Sequence, residues 1–193
     1  MRAPRRRLLV VCEGRVTEPA YLDGFRRAAR NTSVEVKSIG LGRDPLRVVQ
    51  EAKARRREAE QQGRRDDDHS PPYDETWCVF DRDAHSRFDV ACGMARDNGL
   101  MLAASNPCFE LWLLLHFRDC HGRRERGEVQ RLLREASGST GKSIRFEMYA
   151  HRYVRARDRA RQLETAAEHD GEPMRNPTTG FYRLTDSIAR KGE

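Results

Sequence analysis

The sequence predicts an α/β domain with a mostly parallel sheet, and its hydrophobic pattern carries this prediction. Continuous apolar runs occur at residues 8–12, 77–80 and 100–104, as expected for strands that are buried on both faces of a sheet. Segments with apolar residues at helical spacing separate these runs. Because strands and helices alternate in this way, parallel pairing with helices on both sides of the sheet is favoured.

The first two strand–helix units occupy roughly the first third of the chain. The first strand stops at Glu13-Gly14, and Thr17 is placed to cap the N-terminus of the following helix. The apolar stripe of that helix begins at Tyr21. Residues 33–39 alternate as a half-buried strand does, and Asp44-Pro45 opens a second, strongly polar helix.

The third unit begins after a loop rich in Asp, Ser and Pro at residues 66–76. Its strand runs into Asp81-Arg82-Asp83, and a helix follows whose apolar stripe starts at Phe88. Gly99 ends this helix, and the strand at residues 100–104 follows directly. The sequence therefore predicts at least four strands before the pattern changes.

Beyond the fourth strand the chain is predicted to be helical. Residues 109–117 are apolar nearly all round, so a helix here should be buried on most faces. Two further stripes follow, a short one at 129–136 and a longer one at 149–167. We therefore expect an α/β core of residues 1–120 and a helical extension of residues 121–193 that packs on it.

Charge and cysteine content limit the class of protein. The 193 residues carry 37 Lys plus Arg against 30 Asp plus Glu, a formal net charge of +7, and arginine supplies 33 of the cations. This excess favours a polyanionic partner, although a solvated basic surface explains it equally well. No apolar run approaches the ~20 residues of a membrane span. Five cysteines without a close pair and the absence of a signal-peptide core predict a reducing, cytoplasmic location.

Carboxylates stand where the predicted strands end. Glu13 follows the first strand, Asp81 and Asp83 follow the third, and Glu110 lies in the first turn of the helix after the fourth. Ligands of open parallel sheets bind at the carboxyl ends of the strands, so we expect these side chains to converge. Carboxylates without matching His or Cys suit Mg²⁺ or Mn²⁺. For Glu110, a hydrogen bond to backbone or an arginine remains open as an alternative.

Three motifs resemble the RloB family. They are Val-Cys-Glu-Gly-x-x-Thr-Glu-Pro at 11–19, Phe-Asp-Arg-Asp at 80–83 and Ser-Asn-Pro-Cys-Phe-Glu-Leu-Trp-Leu-Leu-Leu-His-Phe at 105–117. The Asn-Pro-Thr-Thr segment at 176–179 also resembles the family's closing motif. The chain departs from the family near Lys142, where Thr-Gly-Lys replaces Tyr-x-Lys.

The resemblance implies a Rossmann-like fold similar to Toprim domains, which bind Mg²⁺ and include nucleases. By that resemblance Asp81 and Asp83 would hold the metal, Glu13 would act as general acid/base or as a ligand of a second metal, and Glu110 would complete the metal shell. Thr17 and Glu18 are interpreted as caps of the first helix. RloB-like proteins are encoded in restriction-modification and abortive-infection loci, often beside an ABC- or SMC-type ATPase.

Other patterns give weaker signals. Residues 136–143 match a relaxed P-loop but follow a helical stripe rather than a strand. Cys108, His116, Cys120 and His121 could suggest zinc, but no Cys-x2-Cys pair supports them, and we interpret His116 as a hydrogen-bonded core residue. Residues 66–69 are interpreted as a solvated loop, and His85 could contact phosphate.

The leading hypothesis is a Mg²⁺-dependent nuclease of bacterial anti-phage defence, with arginines of residues 53–65 and 152–161 guiding substrate phosphates. The alternative is a non-catalytic subunit that binds the ATPase. The intact acidic set favours catalysis. The sequence leaves open whether the substrate is DNA or RNA, tRNA included, and whether the chain forms homo-oligomers.

Overall fold

A computed structural model describes residues 5–42, 44–65, 72–82, 87–138 and 144–190. The strands are β1 (Arg6–Cys12), β2 (Val34–Gly40), β3 (Glu75–Asp81), β4 (Met101–Asn106) and β5 (Thr178–Thr179). The helices are α1 (Thr17–Ala29), α2 (Pro45–Arg65), α3 (Phe88–Asp97), α4 (Glu110–Leu115), α5 (Arg126–Ser137), α6 (Glu147–Ala150), α7 (Tyr153–His169) and α8 (Phe181–Ala189).

The five strands form one sheet in the order β2-β1-β3-β4-β5. Strands β1 to β4 pair in parallel, and β5 joins β4 antiparallel. The chain therefore leaves β1 toward β2 on one side and returns to β3 on the other, which makes the gap between the carboxyl ends of β1 and β3 a topological switch point. The predicted α/β class with a mostly parallel, Rossmann-like sheet is confirmed.

Both faces of the sheet are covered, which explains the continuous apolar run of β1. Leu8, Val10 and Cys12 face a core shared with α1, α4, α5, α7 and α8. Leu9 and Val11 face a second core shared with α2 and α3. Because side chains alternate along a strand, a strand that separates two cores is apolar at every position.

The carboxyl-terminal segment contributes to the first of these cores. Helix α4 is shorter than the predicted 109–117 segment, and Leu111–Leu115 are buried as expected. Residues 176–179, whose Asn-Pro-Thr-Thr sequence resembles the family's closing motif, contain the strand β5, so this segment also extends the sheet. The predicted boundary between residues 120 and 121 stays a prediction.

Three details of the predicted helices are wrong. Thr17 is the first residue of α1 rather than its cap, because Val16 occupies the cap position and no side chain caps this helix. The stripe at 149–167 is divided between α6 and α7, since the chain turns at residues 151–152. Ala136, assigned to the buried stripe of α5, is exposed because the second core-facing position of that helix is Leu133.

All five cysteines are buried as free thiols. Among the residues that the structure describes, no helix is long and apolar enough to cross a membrane. Both findings agree with the composition.

Gly40 allows β2 to approach the loop after β1. A Cβ atom at Gly40 would lie 2.5 Å from the carbonyl oxygen of Gly14 and 2.6 Å from the Cα of Arg15. Backbone cannot move aside as a flexible side chain does. We expect Gly40→Ala to destabilise the protein by about 1–3 kcal/mol, as overpacked cores do.

Gly93→Ala is the matched control in urea denaturation. A Cβ at Gly93, inside α3, meets nothing within 4 Å. This variant should gain about 0.5–1 kcal/mol, because alanine is the better helix former. Equal stability of the Gly40→Ala variant and the wild type would contradict the packing described for Gly40.

Candidate active site at the carboxyl edge of the sheet

Backbone hydrogen bonds hold Glu13 at the switch point. Its N–H donates to the carbonyl of Val79 at 2.8 Å, and its own carbonyl accepts the Gly42 N–H at 2.6 Å. The Glu13 Oε2 atom accepts the backbone N–H of Asp81 at 3.0 Å. The residue after β1 is therefore tied to the last residue of β3, as the sheet topology requires.

Asp81 ends β3 in a buried position, with a relative exposure of 6 %. Its Oδ2 atom accepts a hydrogen bond from the guanidinium of Arg126 at 3.2 Å. Burial raises the pKa of Asp81 well above its ordinary value, and the charges of Glu13 and Glu18 raise it further. The Arg126 charge acts in the opposite direction.

Glu18 is a second buried carboxylate at this edge. It lies in the first turn of α1 with a relative exposure of 6 %, and its Oε1 atom accepts the Gly14 N–H at 3.0 Å. Burial raises the pKa of Glu18, and the charges of Glu110 and Glu13 add to this effect against the hydrogen bonds that lower it. The interpretation of Glu18 as a simple helix cap was therefore incomplete.

Glu110 joins the cluster from the start of α4. Its Oε1 atom accepts a hydrogen bond from the side-chain amide of Gln130 at 2.9 Å. The Glu110 charge raises the pKa values of both Asp81 and Glu18, so the three carboxylates share one electrostatic environment. Arg126 and Gln130 lie one turn apart on α5, which covers the cluster from one side.

The structure thus brings Glu13, Asp81 and Glu110 together, as the sequence predicts. Glu18, Arg126 and Gln130 belong to the same cluster and were not assigned to it from the sequence. Asp83, the fourth predicted site residue, lies outside the described residues. So do His85, Lys142, residues 66–69 and most of the P-loop-like segment.

The carboxylates of the cluster are the type of ligand that a hard cation binds. Their arrangement around a single ion is less complete. Carboxylate oxygens are the ligands that Mg²⁺ and Mn²⁺ prefer, and burial, followed by the neighbouring negative charges, raises the pKa values of Asp81 and Glu18. Within the described ranges, however, no three His, Cys, Asp or Glu side chains are arranged to hold one ion.

His116 is confirmed as a core residue. It is 1 % exposed, its Nε2 atom lies 3.0 Å from the Tyr21 hydroxyl, and its Nδ1 atom lies 2.9 Å from the Trp112 carbonyl oxygen. Burial lowers its pKa to about 4, so it is neutral at physiological pH. The part of the chain that is described also contains no group of three His, Cys, Asp or Glu side chains that could hold zinc.

The basic half of α2 lies away from the acidic cluster. Helix α2 starts beyond the carboxyl end of β2 and runs back antiparallel to the strands, so Arg64 and Arg65 approach the opposite edge. The guanidinium of Arg56 donates to the carbonyl of Asn98, just before β4 begins, at 2.9 Å. This end of α2 is therefore not placed to guide phosphates to the cluster.

The arginines of α7 make contacts within the fold. Arg159 bonds to Asp119 and to the Leu115 carbonyl, and Arg161 bonds to Asp186. The guanidinium of Arg152 lies 5.1 Å from the ring centre of Phe117. These interactions account for three of the five arginines in residues 152–161 without a nucleic acid.

The raised pKa of Glu18 predicts a pH-dependent stability. The folded state holds the Glu18 proton more tightly than the unfolded chain, so this contribution is present below the unfolded pKa and is lost as pH rises through the folded pKa. Glu18→Gln keeps the acceptor for Gly14 and does not titrate. In EDTA, we expect this variant to be more stable than wild type at about pH 8 and not at about pH 4.

Thermal unfolding at the two pH values measures this difference, with the exposed Glu58→Gln on α2 as the control. A Glu18→Gln variant that is less stable than wild type at the higher pH would contradict the electrostatic description.

Comparison with known proteins supports the resemblance seen in the motifs. The model of the family described as RloB-like protein matches residues 8–188. Neither the curated proteins nor the solved structures include a significant match to the chain. Because the family model covers nearly the whole chain, this protein belongs to the RloB-like family.

Proposed function

We propose that the protein is a metal-dependent nuclease that cleaves phosphodiester bonds of nucleic acid in bacterial anti-phage defence. The observation that carries the proposal is the convergence of carboxylates from β3, α1, α4 and the loop after β1 at the switch point of the sheet. Buried carboxylates that repel one another are costly, and their retention at a ligand-binding edge is typical of a functional site. Membership of the RloB-like family supports the same assignment.

Mg²⁺ or Mn²⁺ would be held by Asp81, Asp83, Glu13 and Glu110. When bound, such an ion polarises the phosphate and lowers the pKa of an attacking water. Glu13 would accept the proton of that water, and its orientation is fixed by the hydrogen bond from the Asp81 N–H. Glu18, whose pKa is raised by burial, would stand beside this group on the first turn of α1.

Arg126 and Gln130 would position the carboxylates. Arg126 pairs with Asp81, and Gln130 holds Glu110 by a hydrogen bond. Both side chains come from one face of α5, so that helix would orient the site and bring a positive charge beside the substrate phosphate. Arginine suits this role because its planar group can bond two phosphate oxygens at once.

The alternative is a non-catalytic subunit that binds an ABC- or SMC-type ATPase. Two observations favour it: Arg126 already pairs with Asp81, and the described residues hold no three-donor group. A carboxylate that is paired within the fold can serve the structure alone. Cleavage activity separates the two proposals.

Asp81→Asn should abolish cleavage with little change in fold, because the amide keeps the shape of the side chain and loses its charge. We expect the rate to fall at least about 100-fold, because a bound metal supplies several kcal/mol of charge stabilisation and about 1.4 kcal/mol corresponds to a factor of ten. DNA, RNA and tRNA should be tested with Mg²⁺ and Mn²⁺, alone and with the ATPase of the same locus where one is encoded. Asp83→Ala should behave alike.

Asp89→Asn, an exposed position on α3, is the control and should cleave as wild type does. Equal cleavage by wild type and the Asp81→Asn variant would overturn the assigned site. No cleavage under any condition, together with tight ATPase binding, would favour the accessory subunit.

A further inference from the structure

A basic cavity of about 630 Å³ opens beside the acidic cluster. It lies between the carboxyl ends of β3 and β4, the first turn of α5 and residues 172–176. Among the described residues, its guanidinium groups belong to Arg82, Arg123, Arg126 and Arg175. Two carboxylates, Glu125 and Glu172, also line it, so the positive charge of the described wall exceeds the negative.

The arginines of this cavity are held at its wall. Arg82 donates to the Met174 carbonyl at 3.2 Å, and its guanidinium lies 5.3 Å from the ring centre of Phe88. Arg175 pairs with Asp170 at 2.5 Å. Arg123 lies 3.7 Å from Glu125 with both side chains 81 % exposed, a pair that water weakens. The cavity therefore combines anchored and solvated guanidinium groups.

Arg126 connects the cavity with the acidic cluster. It lines the cavity and also donates to Asp81 at 3.2 Å. Arg82 directly follows Asp81, and its N–H bonds to the Ser105 carbonyl at 2.7 Å, which fixes the backbone between the two sites. An anion in the cavity would therefore be separated from Asp81 by one side chain.

We propose that this cavity binds the sugar–phosphate backbone of a nucleic acid, next to the phosphodiester that the acidic cluster cleaves. The cleavage half of this statement rests on the proposed function, and the binding half does not. Guanidinium groups match phosphate oxygens in geometry and charge. None of the described residues that line the cavity is aromatic, so these residues offer no stacking surface for bases. The binding is therefore to phosphate and independent of base sequence.

The cavity also explains how an acidic site attracts a polyanion. The carboxylate cluster alone repels phosphate, the basic half of α2 lies toward the opposite edge, and three arginines of residues 152–161 make contacts within the fold. Positive charge adjoining the cluster lowers this repulsion where the substrate enters.

The test compares two double variants with the same change in charge. Arg123→Gln/Arg175→Gln removes two guanidinium groups from the cavity, and Arg64→Gln/Arg65→Gln removes two exposed ones at the far end of α2. Binding of a short fluorescein-labelled single-stranded DNA, and of its RNA counterpart, is followed by anisotropy in EDTA, where no cleavage occurs. Thermal unfolding checks that both variants are folded.

The cavity variant should bind at least about tenfold more weakly, while the control changes by less than about twofold. The slope of log affinity against log salt should fall by about 0.7 for each lost phosphate contact. Equal weakening of both variants, or no oligonucleotide binding by the wild type, would overturn the subsite. The subsite would also be overturned if inorganic pyrophosphate bound in the cavity without competing with the oligonucleotide.

The two proposals can fail separately. Oligonucleotide binding that depends on the cavity, in a protein that cleaves nothing, would reject the nuclease and retain the subsite. Cleavage by the wild type, with equal binding by the two double variants, would reject the subsite and retain the nuclease.

Discussion

Strand β1 is paired in parallel on both sides, and the site follows from this constraint. Its neighbours β2 and β3 bring their carboxyl ends to the same edge, so the chain must turn away in opposite directions beyond Cys12 and Asp81. The resulting gap is bridged by the Glu13 carboxylate, which accepts the Asp81 N–H. Helices α1 and α4 then place Glu18 and Glu110 over the same gap, where burial and the neighbouring negative charges raise the pKa values of Asp81 and Glu18. The topology of the sheet therefore brings carboxylates together at its carboxyl edge, where burying their charges is unfavourable.

The features that the sequence predicts correctly are those with local causes. A continuous apolar run identifies β1 because both faces of that strand are buried, and Glu13 is placed at the edge because it follows the run directly. The all-apolar segment after Pro107 likewise predicts a buried helix, and α4 is buried. The order of elements then suffices for a parallel sheet, since each helix returns the chain to the starting edge.

The features that the sequence misses depend on contacts between distant segments. Arg126 reaches Asp81 from 45 positions along the chain, and one arginine among 33 carries no distinguishing signal. Glu18 looks like an ordinary first-turn acid because its burial comes from tertiary packing. The location of the basic surface also depends on such contacts. The arginines in the second half of α2 lie toward the far edge of the sheet, whereas the cavity is lined by single arginines from separate segments.

The proposed function requires that the carboxylate cluster bind a divalent metal, and calorimetric titration with Mn²⁺ measures this binding. We expect saturable binding to the wild type, and a decrease in affinity of more than about tenfold on Asp81→Asn substitution. Because Arg126 competes for Asp81, the Arg126→Gln variant should bind Mn²⁺ at least as tightly as wild type. Absence of saturable binding, or equal affinity of the wild type and the Asp81→Asn variant, would show that the cluster is not a metal site.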